Sequence, residues 1–121
     1  MLKGSERRIE IGTFEKVLGL KGFVFNTEDT AEILEDSPIY ILYEGQKILG
    51  YIAVNDNGPS QDILFIDILE SRRSEGLGKY LISRVIDRNR PVRLCAYSES
   101  AYAFFKRLNA EGVIPQMEVI G

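Results

Sequence analysis

The chain contains no histidine and a single cysteine, Cys95. The first absence removes the commonest general base, every Ser-His or Cys-His nucleophile pair and the commonest transition-metal ligand. Together the two absences argue against a zinc site and exclude a disulfide within the chain; a reducing compartment fits, and the sequence reads as cytoplasmic. No apolar run approaches the ~18 residues of a membrane span, and the opening MLKGSERRIEIG lacks the apolar core of a secretory signal. A basic surplus is missing too. Fifteen Lys and Arg against 18 Asp and Glu leave a net charge of −3 and a pI near 5.0, which does not advertise a nucleic-acid binder. The expectation is therefore no metal, no membrane and no nucleic-acid partner. Chemistry must rest on carboxylates, tyrosines, lysines, the backbone or a bound cofactor, and a mildly acidic surface would tolerate an amine substrate.

What is present suits one domain over residues 1–121: the length and the 45% hydrophobic content are those of a globular chain with a real core. RRIEIG, Arg7 to Gly12, reads as a strand. TFEKVLGLKGF puts Phe14, Val17 and Leu18 at helical spacing, ended by Gly19 and Gly22. Asn26 is a candidate cap for a second helix carrying Ala31, Ile33 and Leu34. PIYILYEGQKILGYIAV is the clearest hairpin, turning at Glu44–Gln46, and Asn55 to Ser60 is a loop. The largely apolar DILFIDIL, Asp62 to Leu69, predicts a central strand. A helix follows from Gly76 to about Arg88, then a strand from Pro91 to Tyr97. A last helix, capped by Ser98 or Ser100, aligns Ala101, Phe104, Phe105 and Leu108, and VIPQMEVI ends the chain as an edge strand.

Between the central strand and its helix lies ESRRSEGLGKYL, Glu70 to Leu81. Strand, glycine-rich turn and helix form a general phosphate-binding geometry: the helix start offers free N–H groups and the positive end of its dipole, and glycine lets a ligand approach. The Walker pattern fails, because Tyr80 follows Lys79 and Arg73 stands five residues before Gly78. The Rossmann pattern fails at Leu81. The pattern that fits is [RQ]-x-x-G-x-[GA], as Arg73-Ser74-Glu75-Gly76-Leu77-Gly78.

With that motif after an apolar strand and SESAYAFFKRLNAEG after the next one, the chain resembles the GNAT superfamily of acyl-CoA-dependent N-acetyltransferases over nearly its whole length. The last helix looks like the family's A-x-x-x-Y-x-x-x-G-F, with Ala101, Phe105, Leu108 and Asn109 in register. The resemblance implies an α/β (α+β) fold: a mixed, mostly antiparallel sheet flanked by helices, with splayed central strands. It implies acetyl-CoA as cosubstrate and transfer to a primary amine on a small molecule or protein, by a monomer or homodimer. It assigns the pyrophosphate to the amides around Arg73, Ser74, Glu75, Gly76, Leu77, Gly78 and Lys79. The pantetheine arm falls to the backbone of Ile66 and Ile68, with the Ile68 amide polarising the thioester carbonyl, and the thioester pocket to Phe105. Three positions depart from the family. Glu75 stands where a basic residue is frequent, Asn109-Ala110 replaces Gly-Phe, and Phe105 replaces the tyrosine that commonly protonates the departing thiolate.

For the base, Asp62 is the first candidate, at the spacing before Arg73 where histone-acetylating relatives carry a glutamate; a solvated strand-entry acid is the plainer reading. Asp67, inside the apolar strand, is either hydrogen-bonded structure or a base of raised pKa. For the acid, Tyr102 lies one turn before Phe105 and Tyr97 is the second choice; packing is the plainer reading of both. Cys95 reads as a buried thiol. Two further functions stay open: a non-catalytic acyl-CoA-binding sensor or regulator of a partner protein, and a small adaptor that pairs strands with a partner.

Overall fold

The structure, a computed structural model, describes residues 6–120; the reading of the first five residues lies outside that range. Six strands form one sheet in sequence order: β1 (Arg7–Gly12), β2 (Ile39–Glu44), β3 (Lys47–Asp56), β4 (Gln61–Ile68), β5 (Val92–Leu94) and β6 (Met117–Val119). The first four are antiparallel neighbours; β4–β5 and β5–β6 run parallel because helices carry the chain back. These helices are α2 (Leu77–Val85) and α3 (Glu99–Ala110), while α1 (Glu28–Leu34) lies between β1 and β2. The expected mixed sheet with flanking helices is thus present.

Each face of the sheet has its own core. On one face α2 and α3 bury Leu77, Leu81, Ile82, Phe105 and Leu108 against Leu42, Ile52, Ile63 and Leu94. On the other, Phe14, Val17 and Leu34 cover Ile39, Ile41, Tyr51 and Phe65. Each fully buried aliphatic or aromatic side chain contributes about 1.5–3 kcal/mol, so both layers hold the sheet.

Several boundaries differ from the sequence reading. The first helix is a single 3-10 turn at Phe14–Lys16, because Gly19 takes a left-handed φ of 92° and reverses the chain. Thr27, not Asn26, caps α1 by accepting from the Thr30 N–H. The Asn26 side chain instead accepts from the Gly19 N–H and donates to the Leu20 carbonyl, closing the loop before the helix. Ser98 caps α3 as one of the two candidates. The strand expected over Pro91–Tyr97 is only Val92–Leu94. No helix among the described residues is long and apolar enough to cross a membrane.

Candidate functional site

The short β5 leaves an opening in the sheet. It pairs with β4 over three positions only, Gln61↔Val92, Asp62↔Arg93 and Ile63↔Leu94, while β4 runs on to Ile68. The start of the pair is locked by Gln61, which is buried. Its amide donates to the Asp87 and Arg90 carbonyls at 2.5 and 3.3 Å and accepts from the Asp87 N–H at 2.9 Å. Beyond Ile63 the two strands part.

A bulge marks the same place. Val54 faces Ile63 and Ala53 faces Phe65, so Leu64 is the extra residue in β4. An inserted residue exchanges the two faces of everything after it. Phe65 therefore packs with the α1-side core although Ile63 packs with the α2-side core. Past the bulge, Leu69 donates its N–H to the Leu49 carbonyl at 2.8 Å. Antiparallel alternation then turns the N–H and C=O groups of Ile66 and Ile68 away from β3, toward the opening. The Ile68 carbonyl on that side accepts from Arg73 Nε at 3.0 Å.

The opening is a cavity of about 430 Å³ lined by Val24, Phe25, Ile66, Asp67, Ile68, Arg73, Gly78, Ser100, Ala101, Phe104 and Phe105. Five of the residues expected to meet the cofactor, Ile66, Ile68, Arg73, Gly78 and Phe105, are brought together there. At its end, residues Glu70–Glu75 form an irregular 3-10 segment that reaches α2 through Gly76, left-handed at φ 75°. No side chain caps α2, so its first N–H groups, from Leu77, Gly78 and Lys79, stay available to an anion. Leu77 anchors the turn with a side chain buried in the core, and Ser74 is exposed. Gly78 is needed for space: a Cβ there would stand 2.9 Å from Phe104 Cζ.

Four charged residues of the turn, Arg72, Arg73, Glu75 and Lys79, are already engaged. Arg72 forks onto Glu44 at 3.1 and 3.3 Å and reaches Glu75 at 2.7 Å. The Arg72 guanidinium holds both carboxyls below their usual range. The acid at position 75 thus carries its own counter-charge. Arg73 bonds to the carbonyls of Ile68 and Gly22, and Lys79 pairs with Glu111 at 2.8 Å. The turn presents free backbone N–H groups more than free basic side chains.

Asp67 is 4% exposed and faces the loop before α1. Its carboxylate accepts the N–H groups of Phe25 at 2.7 Å and Val24 at 3.1 Å, and Arg73 stands 3.9 Å away. Burial pushes its pKa up; the Phe25 and Val24 N–H groups and the Arg73 guanidinium pull the other way. The hydrogen-bonded reading of this residue is the one its contacts carry, and burial raises its pKa beside them. It fastens one wall of the cavity to β4.

The two expected catalytic residues stand elsewhere. Asp62 lies before the bulge, in the closed stretch beside Arg93, with Nη1 to Oδ1 at 3.9 Å. At ~3.3 Å per residue that is about 13 Å along the strand from Ile66. Tyr102 is 45% exposed on the flank of α3, in a separate concavity with Ala96, Tyr97 and Val119 and with Lys106 over its ring. The α3 stripe points Ala101 and Phe105 into the cavity and leaves Tyr102 beside it. Conversely Val24, Phe25, Ser100, Ala101 and Phe104 line the cavity without having been singled out for it. Ala101 and Phe104 belong to a stripe legible as core, Ser100 to the candidate caps of α3, and the two loop residues carry no motif.

No family model matches the sequence, and no curated relative does. Solved structures do match in fold. A GNAT family acetyltransferase from Streptococcus pneumoniae superposes with a TM-score of 0.66 at 21% identity, covering 86% of each chain. A structure described as a putative acetyltransferase from Deinococcus radiodurans gives 0.64 at 18% identity over 90% of this chain and 85% of the other. The mutant toxin AtaT, solved with the C-terminus of the antitoxin AtaR and acetyl-CoA, gives 0.62 at 22% identity over 86% and 83%.

Proposed function

We propose that this chain, whose fold is that of the GNAT acetyltransferases, binds acetyl-CoA and transfers its acetyl group to a primary amine in the cytoplasm. The observation that carries the reading is the half-unpaired β4. The open backbone of Ile66 and Ile68 runs into a cavity that ends at the uncapped start of α2. A pantetheine arm would add to that edge as a strand does. The pyrophosphate would meet the amides from Gly76 to Lys79, with Ser74 and Glu75 in the turn before them. The Ile68 N–H would polarise the thioester carbonyl.

In the transfer step the amine nitrogen forms the new N–C bond, the C–S bond breaks, and the ammonium proton passes to a base or to water. Holding the two reactants together supplies much of the rate. Asp67 is the carboxylate that lines the cavity. The acid and base roles suggested for Tyr102 and Asp62 require movement of those residues toward the opening.

The test is a thermal melt with and without acetyl-CoA. Ligand at ~100 times its dissociation constant stabilises by about 2.7 kcal/mol, a shift of several degrees at roughly 2–8 °C per kcal/mol. Gly78→Glu is a poor control, since any Cβ there strikes Phe104. Ala101→Glu is better: Ala101 lines the cavity, so a carboxylate there obstructs it, and an acid in the first turn of α3 suits the helix dipole. Loss of the shift in Ala101→Glu, with the ligand-free melt unchanged, supports the site. Full retention removes it.

A second reading is favoured by Phe105, which puts a hydrocarbon ring where the resemblance leads one to expect a phenol: a sensor that holds acyl-CoA and regulates a partner. AtaT in complex with an antitoxin segment and a KacTA–DNA complex of TM-score 0.54 make protein or DNA partners worth testing. Turnover with a panel of amines decides between enzyme and sensor, and a gain in Phe105→Tyr would identify thiolate protonation as the slow step.

A further inference from the structure

A second cavity, of about 340 Å³, lies behind the loop that walls the first. It is lined by Lys16, Leu20, Lys21, Phe23, Gln46, Lys47, Ile48 and Leu69. The two cavities meet back to back: Phe23 lines one and Val24 the other, and Leu69 lines one and Ile68 the other. The wall between them is pinned, because the Gly22 carbonyl accepts from the Glu70 N–H at 2.8 Å and Asp67 holds Val24 and Phe25.

The chemistry of this cavity is one-sided. Its floor is apolar, and its rim carries three lysines and no carboxylate, in a chain whose net charge is −3. None of the three lysines makes an ion pair among the described residues. Lys47 has an acid directly across the hairpin, Glu44. That carboxylate is committed to Arg7 and Arg72. Three like charges around one hollow repel one another, and an anion between them relieves that repulsion. Beside an apolar floor each attraction is worth more than in bulk water. Leu20, 41% exposed, remains as apolar surface that a ligand would cover.

We propose that this cavity binds a small organic anion, a carboxylate or phosphate carried on an apolar body, at a site separate from the acyl cleft. The inference does not depend on acetyl transfer. Charge complementarity selects the anion and the floor selects the apolar body. The volume sits at the small end of ligand sites, ~300–1,000 Å³.

The experiment is an NMR titration of the full chain with phenylacetate and benzyl phosphate, read at Leu20, Phe23, Ile48 and Leu69. Phenylacetamide and inorganic phosphate are the controls. The expected result is saturable shifts at these residues with Kd of ~1 mM or tighter, weakened at least ~10-fold for phenylacetamide and in Lys16→Met/Lys21→Met/Lys47→Met, and weakened by salt. All three lysines are exposed, and the melt of the triple variant without ligand verifies that it folds. Shifts that do not saturate, that persist in the triple variant, or that gather at Ile66 and Phe105 overturn the site. Inorganic phosphate binding as tightly as benzyl phosphate overturns the apolar half of the proposal.

Discussion

The two halves of β4 are built from the same kinds of residue and behave differently. Gln61–Ile63 has a partner strand on each side, whereas Leu64–Ile68 has one on the β3 side only. In the first half, the buried polar side chain Gln61 spends its hydrogen bonds on the turn that delivers β5. In the second, the buried polar side chain Asp67 spends its own on a loop, and the backbone of Ile66 and Ile68 is left for something else. One half closes the sheet and the other opens onto the cavity proposed to take the cofactor. The difference arises from the length of β5 and from one inserted residue, Leu64, rather than from hydrophobicity.

The comparison is broken most sharply by equal truncations on either side of the bulge. Ile63 is 5% exposed in the α2-side core. Ile63→Ala should cost about 2–5 kcal/mol, seen as a lower urea midpoint, with acetyl-CoA affinity unchanged per folded molecule. Ile68 is half-buried and lines the cavity. Ile68→Ala should cost less stability and weaken acetyl-CoA binding. Equal effects on binding from both variants would dissolve the distinction between the halves.

A smaller effect is expected at Asp67, through the loop it holds. Asp67→Asn keeps the shape but turns an NH2 toward backbone N–H donors, leaving one of them unsatisfied at a cost of about 1–3 kcal/mol. Faster hydrogen exchange at Val24 and Phe25 should accompany the loss. The pH dependence gives an independent check. Asp67 has its carboxyl raised above the ordinary 3.8, so the folded state keeps this proton to a higher pH than the unfolded chain does. Its contribution is fullest below the ordinary carboxylate value and declines as pH rises through the folded one. Glu44 and Glu75, lowered by Arg72, contribute in the opposite sense and lose their contribution as pH falls. Subtracting the urea-denaturation profile of Asp67→Asn from that of the unmodified chain isolates the first trend; a difference that grows with rising pH would contradict it.

The strands and the glycine turn before α2 were legible because they are local. Alternation and apolar runs mark β1 to β4, the hairpin turns at Glu44–Gln46 as its composition says, and Arg73 to Gly78 announces a helix start that glycine opens. The facing of the two aspartates was not legible. Asp62 and Asp67 differ by five positions, and strict alternation assigns them to opposite faces. The bulge at Leu64 overrides that arithmetic, and nothing in DILFIDIL announces it. The cavity wall at Val24 and Phe25 was hidden for another reason: it is positioned by a carboxylate more than 40 residues away in the chain. The place of Tyr102 was not legible either: it lies on the flank of the α3 stripe, which turns to Tyr97 and Val119 instead of to Phe105.

The smallest effect expected tests which part of the turn would meet the proposed cofactor. Lys79 is the basic residue nearest the start of α2, and simple charge matching would assign it to the pyrophosphate. In the structure its side chain is 53% exposed and paired with Glu111 at the C-terminal end of α3, a surface ion pair of the kind that contributes little to stability. Its N–H, by contrast, belongs to the free first turn of the helix. Lys79→Ala removes the charge and keeps the amide. It should leave the urea midpoint unchanged and alter acetyl-CoA affinity by less than about threefold, within what one exposed, screened charge supplies. A loss of tenfold or more would mean that Lys79 leaves Glu111 for the phosphate. The open half of β4 would then owe its selectivity to a moving side chain, and not to the fixed backbone that separates it from the closed half.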